Sequence, residues 1–536
     1  MSEIYDAVIV GGGHNALVAA AYLGRAGKRV IVLERHAHVG GAAVSERPWE
    51  GVDARLSRYS YLVSPLPRTV IDDLDLHLDL RRRRSSSYTP DPADPSHGIL
   101  VDAGDAIATT ESFLRTTGDA REAERFGALY DRLLPLAAAL FPTVTEPLRR
   151  ESAVRAAVPD QALWDAVVHE PLGALLRGAL TSDTARGIAL TDGLIGTFSY
   201  ADDPTLRQNR CFLYHVIGGG TGHWDVPVGG MGRVSGALER AARDAGAELR
   251  TDAEVLAVDP EGAVTLTSGE RIAGRLVLSG VGPAVLGRLL AAGGSQGTGD
   301  VDASSAPEGA QVKVNLLLRR LPRLRDTDVD PEAAFAGTFH INETMTQLDA
   351  AYGRAAGGAV PDPLPAEIYC HSLTDPSILG RDLQASGAQT LTLFGLQVPH
   401  RLATQSVSGS DAQGGDADDA YRATLLAAAQ ASLDSVLAEP IADVVYTAPD
   451  GTPCVEARTT TDLERALGMA GGDIFHGSLA WPWATDDEPL DTPAERWGVA
   501  TDHPRVLLCG SGARRGGGVS GIGGHNAAMA ALELLR

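Results

Sequence analysis

Gly11, Gly13 and Ala16 stand at the spacing G-x-G-x-x-A, and Glu34 follows at the end of the next apolar run. Each residue type has a physical role at its place. Gly11 permits a tight turn, Gly13 lets a pyrophosphate approach the backbone with no Cβ in the way, and Ala16 is small enough for close packing of a helix on a sheet. His14 and Asn15 open that helix, whose free N–H groups and positive dipole end attract phosphate. Glu34, followed by Arg35, is placed to take the hydroxyls of an adenosine ribose and to disfavour a 2′-phosphate. The chemistry implied is dinucleotide binding. The plain alternative is a glycine turn in an α/β protein without a ligand.

The elements that must hold these residues are legible around them. Ala7–Val10 reads as a buried parallel strand, and an alanine-rich helix runs from the turn to about Ala26. Gly27 can take the left-handed conformation that ends a helix, and Val30–Leu33 is the second strand. A second glycine-rich loop closes the sequence. Val506–Gly510 reads as a strand, and Gly516-Gly517-Gly518-Val519-Ser520-Gly521 leads to Gly524-His525-Asn526 and a terminal helix.

Three side chains are candidates for chemistry. Lys313 lies in the apolar strand Val312-Lys313-Val314-Asn315-Leu316, on the opposite face from Val312 and Val314; the alternative is a solvated lysine on a half-exposed strand. His476 precedes Trp481 and Trp483 and either lines a substrate cavity or packs. His525 starts the last helix, where satisfying the backbone is as good a reading as catalysis.

Val39-Gly40-Gly41-Ala42-Ala43-Val44-Ser45 resembles the FAD-binding motif of the amine-oxidase and phytoene-desaturase flavoproteins, with Ala42 where that family usually has arginine. The resemblance extends to the Gly229-Gly230-Met231-Gly232 helix start, Lys313-Val314-Asn315, Phe475-His476-Gly477-Ser478-Leu479 and the closing glycine loop. Within the family it resembles most the branch called pyridine nucleotide-disulfide oxidoreductase domain-containing protein 2. The fold implied is α/β, a Rossmann-like FAD-binding domain of discontinuous segments with an α+β substrate domain built on an antiparallel sheet plus helices. The cofactor implied is FAD, held without a covalent bond. Its contacts are expected from the first turn, from Gly40, Gly41 and Ala42, from Val255, and from Gly510, Gly518, Val519, Gly524, His525 and Asn526. The last helix N-terminus would face the pyrimidine edge of the flavin and stabilise negative charge there on reduction. The resemblance further implies oxidation of a long apolar substrate, such as a polyene or other lipid, by hydride transfer to flavin N5. Lys313 would then match a lysine that contacts N5 through water.

Composition sets outer limits. With 536 residues there is room for two or three domains. A net charge of −23 argues against nucleic acid and against electrostatic docking on anionic lipid, so any membrane contact would be peripheral and through an apolar patch. The four cysteines, Cys211, Cys370, Cys454 and Cys509, form no C-x-x-C pair, which argues against a redox disulfide or a zinc ribbon. No leader peptide or spanning segment is read, so a cytoplasmic location is expected. No second G-x-G-x-x-G is placed for NAD(P)H, and oxygen or a quinone is the expected electron acceptor.

The nucleotide domain is assigned to residues 1–78, 225–290 and 498–536, and the substrate domain to 79–224 and 311–497. Residues 291–310 and 406–419 read as mobile loops, and the basic run Arg81–Arg84 as a solvated turn. The stretch Arg55–Pro65, rich in hydroxyls, aromatics and arginine, either lines the site or is a satisfied polar loop. Two further readings stay open beside the oxidoreductase: a flavin-dependent isomerase, and a lipid- or prenyl-binding escort protein related to the GDP-dissociation inhibitors.

Overall fold

The computed structural model describes residues 4–63, 66–295, 306–408 and 414–536. The four-residue apolar runs of the first two strands are buried throughout, as a parallel sheet covered on both faces requires. Tyr5–Val10 sits at the centre, paired in parallel with Val30–Leu33 on one side and Arg271–Ser279 on the other. Glu248–Arg250 extends the sheet beyond Val30–Leu33, and Val506–Leu508 joins the far end of Arg271–Ser279, both in parallel. The antiparallel strands Val255–Asp259 and Ala263–Leu266 complete it. Three chain segments distant in sequence therefore build one sheet. Their helices His14–Arg25, Met231–Asp244 and Ile522–Leu534 pack together beneath it around Ala16, Ala20, Val234 and Ala527.

The second sheet has the order Val455–Arg458, Val312–Leu318, Gln389–Gly395, Ala366–Tyr369, Thr338–Ile341, Ser87–Pro90, Gly98–Val101. Every pairing is antiparallel except that of Thr338–Ile341 with Ser87–Pro90. Between residues 106 and 216 the chain forms a helical layer, with Phe113, Leu133, Trp164 and Phe212 buried in its core. The architecture is a Rossmann-like α/β sheet beside a mostly antiparallel sheet with helices, the fold class expected.

Several local expectations need amendment. Within the segment 79–224 the strands Ser87–Pro90 and Gly98–Val101 precede the helices and belong to the second sheet. Arg81–Arg84 is not a solvated turn throughout. Leu80–Arg82 pairs with Asp225–Pro227, and half-buried Arg83 donates to Thr338 Oγ1 at 2.8 Å. Of the two stretches read as loops, 296–305 and 409–413 lie outside the described residues. The described part of 406–419 is helical, ending His400–Ser408 and beginning Gly414–Val436, whereas of 291–310 only the end of Pro283–Ala292 is helical and 293–295 and 306–310 carry no helix or strand. Periodicity was hard to see there because alanine, serine and glycine dominate the flanks.

Candidate active site

The first turn does what its residue types demand. Gly11 has φ +87°, a value that favours glycine, and Gly280 closes on its carbonyl so tightly that a Cβ there would lie 2.9 Å from Gly11 O. Gly13 is different in kind: a Cβ on it would meet nothing within 4 Å. It faces a cavity of about 940 Å³ that Gly11, His14, Asn15, Glu34, Arg35 and Gly41 also line. Ala16 is fully buried behind the turn, against the strand end at Gly280.

Glu34 is buried, and each oxygen accepts one backbone N–H, from Gly12 at 2.7 Å and His36 at 2.9 Å. Each oxygen keeps a second lone pair for a ribose hydroxyl. Arg35 donates to the Ala466 carbonyl at 2.8 Å and borders the same cavity, as does Val255. Gly40 lies behind the turn, its N–H donating to Gly12 O at 2.8 Å, with φ +122°. Gly41 and Ala42 reach the cavity, and the Ala42 carbonyl accepts from Ser60 Oγ at 2.7 Å.

The closing loop meets the first turn. His14 Nε2 is 3.0 Å from Gly518 O, and burial pushes the His14 imidazole down to about 4, so the ring is neutral at pH 7. Gly518 and Val519 line the cavity. Gly510 does not; a Cβ there would strike Gly280 O at 2.6 Å, so it serves the crossing of two strand ends. Gly524 packs on Asn15. His525 is stacked edge-on against Tyr22 and Trp497, and Asn526 Nδ2 donates to Val144 O at 3.1 Å. These last three lie off the cavity wall, because the helix turns its first residues toward its neighbours.

The stretch Arg55–Pro65 divides between its two readings. Tyr59, Ser60, Tyr61 and Leu62 line the cavity, while Arg58 is spent on Glu46 and Glu456. Lys313 is buried behind that segment. Its Nζ donates to Ser57 O at 2.7 Å and Tyr59 O at 3.0 Å, and lies 4.6 Å from the centre of the Tyr61 ring. Burial lowers its ammonium to about 7. Lys313 is not part of the cavity wall, so it reaches the site through the backbone it holds.

His476 has φ +62°, and its Nδ1 is buried without a hydrogen-bond partner. It borders both the main cavity and an adjoining one of about 560 Å³, as do Tyr214, Phe475 and Ser511. Burial lowers His476 to about 4. On the far wall stand Asp192, His340, Glu367, Tyr369 and Phe394. Sequence reasoning missed these, since they come from one helix end and three strands distant in the chain.

The cavity thus joins an open glycine turn, a buried carboxylate at ribose position and an aromatic wall. A protein from Mycobacterium tuberculosis, uncharacterized protein Rv0897c, is 54% identical to this chain over 544 residues, covering 99% of this chain and 97% of that one. The chain belongs to the Rv0897c family. The kinship of this family member extends to pyridine nucleotide-disulfide oxidoreductase domain-containing protein 2 of Rattus norvegicus, at 29% identity over 570 residues, covering 98% of this chain and 92% of that one. Residues 9–64 match the NAD(P)-binding Rossmann-like domain. Cyclohexylamine oxidase from Brevibacterium oxydans shares the fold at TM-score 0.56 and 14% identity, with 99% of each chain covered. The Rv0897c-family chain thus shares the fold of that oxidase, with a Rossmann-like nucleotide domain at its N-terminal part. The open face of Gly13 above a cavity of this size fits a dinucleotide such as FAD.

Proposed function

We propose that this protein oxidises or desaturates a hydrophobic small molecule, of polyene, isoprenoid or other lipid-like type, with FAD as hydride acceptor. One observation carries the reading. The cavity that begins at the glycine turn continues without a break to Tyr61, Trp224, Phe394 and Phe475. An apolar molecule lying against those rings shares one enclosure with the cofactor, where water is excluded.

FAD, when bound, supplies the electron sink at N5. The chain's own residues hold and orient. Gly13 and the N-terminus of His14–Arg25 take the pyrophosphate, and Glu34 takes the ribose. Gly518 and Val519 approach from the other side. Neutral His14 and His476 add no charge to the parts of the cavity they line. Oxygen or a quinone is the acceptor that re-oxidises the protein in this reading. The location proposed is cytoplasmic, with peripheral membrane contact through an apolar patch; among the described residues no helix is long and apolar enough to cross a membrane.

The test is anaerobic. The holoprotein is mixed with a panel of polyenes, terpenoids and long-chain alcohols, and the oxidised flavin bands are followed while products are analysed. Bleaching by one class, with a product lacking two hydrogens, supports the reading. Rearrangement without bleaching would replace it with the isomerase.

A further inference from the structure

On the cavity wall away from the glycine turn, His340 and Glu367 are direct partners across the antiparallel pair Thr338–Ile341 and Ala366–Tyr369. Their side chains therefore emerge on the same face. Three residues on, Glu343 turns back toward them. His340 Nδ1 is 2.6 Å from Glu343 Oε2, and Thr191 Oγ1 donates to that oxygen at 2.7 Å. All three residues are buried, Glu343 completely. One potential ligand atom from each lies within 4.8 Å of the others.

The cationic neighbours of the cluster among the described residues are His340 itself, paired with Glu343, and Arg83, whose charge acts on Asp192 and Glu367 without an ion-pair contact. Among the described residues no lysine or arginine forms an ion pair with Asp192, Glu343 or Glu367; nearby Arg83 donates to Thr338 Oγ1. Some buried carboxylates in the chain have such a partner, as Glu122 has Arg125 and Asp326 has Arg115, and others, such as Glu34, are satisfied by backbone N–H groups. Buried anions left together are costly unless a proton or a cation joins them. Glu343 Oε1 is an independent sign: it is buried and has no hydrogen-bond partner.

We propose that His340, Glu343 and Glu367 bind one divalent transition-metal cation, of the zinc class, in the wall of the substrate cavity. One imidazole nitrogen with two carboxylate oxygens suits zinc and its first-row neighbours, whereas calcium and magnesium prefer oxygen alone. The two carboxylates neutralise the ion. Tetrahedral ligands of zinc lie about 3.4 Å from one another, so side-chain rotations that draw the three atoms in from within 4.8 Å close the set. The frame is rigid: a Cβ on Gly187 would lie 1.7 Å from Glu343 O, so the helix carrying Thr191 is pressed against the turn carrying Glu343. Tyr369 Oη donates to Glu367 and orients it from behind, as outer partners of metal ligands do.

The inference does not depend on flavin chemistry. Purified holoprotein is treated with a chelator, given zinc sulfate, passed through gel filtration and assayed for metal and FAD together. The expected result is about one zinc per chain and a zinc-dependent rise in melting temperature. Glu343→Gln and His340→Ala should each weaken zinc binding by at least about 100-fold while FAD is retained. Wild-type protein that holds FAD but no zinc overturns the inference and leaves the flavin reading intact. Zinc bound without FAD does the reverse. Zinc affinity unchanged in both variants, with their folded signal intact, would place the ion elsewhere and also overturn it.

Discussion

Asn15 and Gly524 lock the two glycine-rich turns together: Gly524 N–H donates to Asn15 Oδ1 at 3.3 Å, and a Cβ on Gly524 would lie 1.9 Å from the Asn15 carbonyl oxygen. The first and last helices can approach this closely only because residue 524 has no side chain. The contact sets where the closing loop lies relative to the first turn, and hence the width of the cofactor cradle. Gly524→Ala is expected to destabilise the protein by about 3 kcal/mol through overpacking. Gly127→Ala, at an exposed position of the helix Glu122–Leu140 with nothing within 4 Å, is the matched control and should gain a few tenths of a kcal/mol, up to about 1. Urea unfolding of both variants checks the pair, and equal stabilities would show that the helices have room to spare.

Gly13 separates ligand binding from folding. Its φ of −69° is ordinary, and the space above it is open. Gly13→Val should fold normally, with flavin-free stability within about 1 kcal/mol of the parent. Its FAD affinity should fall at least about 100-fold, equivalent to about 2.7 kcal/mol. Equilibrium dialysis and thermal melts of the apoprotein measure the two quantities separately. An unchanged affinity would mean that no phosphate passes over this residue.

Lys313 has a worked pH signature. Its folded-state ammonium is lowered from 10.5 to about 7 by burial. Between those values the unfolded chain binds a proton that the folded chain does not, so stability rises with pH, by about 1.4 kcal/mol per unit at most. Below about 7 both states are protonated and the dependence levels off. Relative to Lys313→Met, the wild type should therefore gain stability from pH 7 to pH 10. Denaturant melts across that range test it, and parallel curves would mean the ammonium stays protonated against Ser57 O and Tyr59 O.

How much of this was legible differs by element. The fingerprint from Gly11 to Glu34 announced both its local structure and its chemistry, because each residue type answers a backbone requirement. The closing loop was only half legible. Gly518 and Val519 reach the cavity, but Gly524, His525 and Asn526 face neighbouring helices, and a glycine required by helix contact reads in sequence like one required by a ligand. Lys313 shows a similar ambiguity: its strand is buried on both faces, so alternation gave its side but not its partners. His340 and Glu367 meet through strand pairing across separate segments, a relationship no local pattern records.

His476 and His14 should stay neutral throughout the ordinary working range, since burial holds each near 4. Nitrogen-detected spectra of ring-labelled histidine should show both as single neutral tautomers from pH 5.5 to 8.5, roughly. A midpoint near 6.5 for His476 would mean that water reaches its unpartnered Nδ1.

The measurement that bears most directly on the central assignment is the visible spectrum of the purified protein, followed by denaturation and identification of the released chromophore. Oxidised-flavin bands, with about one FAD released per chain and no flavin left on the denatured polypeptide, are expected from an open glycine turn with Glu34 at the ribose position. A colourless protein that stays colourless after incubation with excess FAD would contradict the assignment. The cavity would then belong to a protein that binds an apolar ligand without oxidising it.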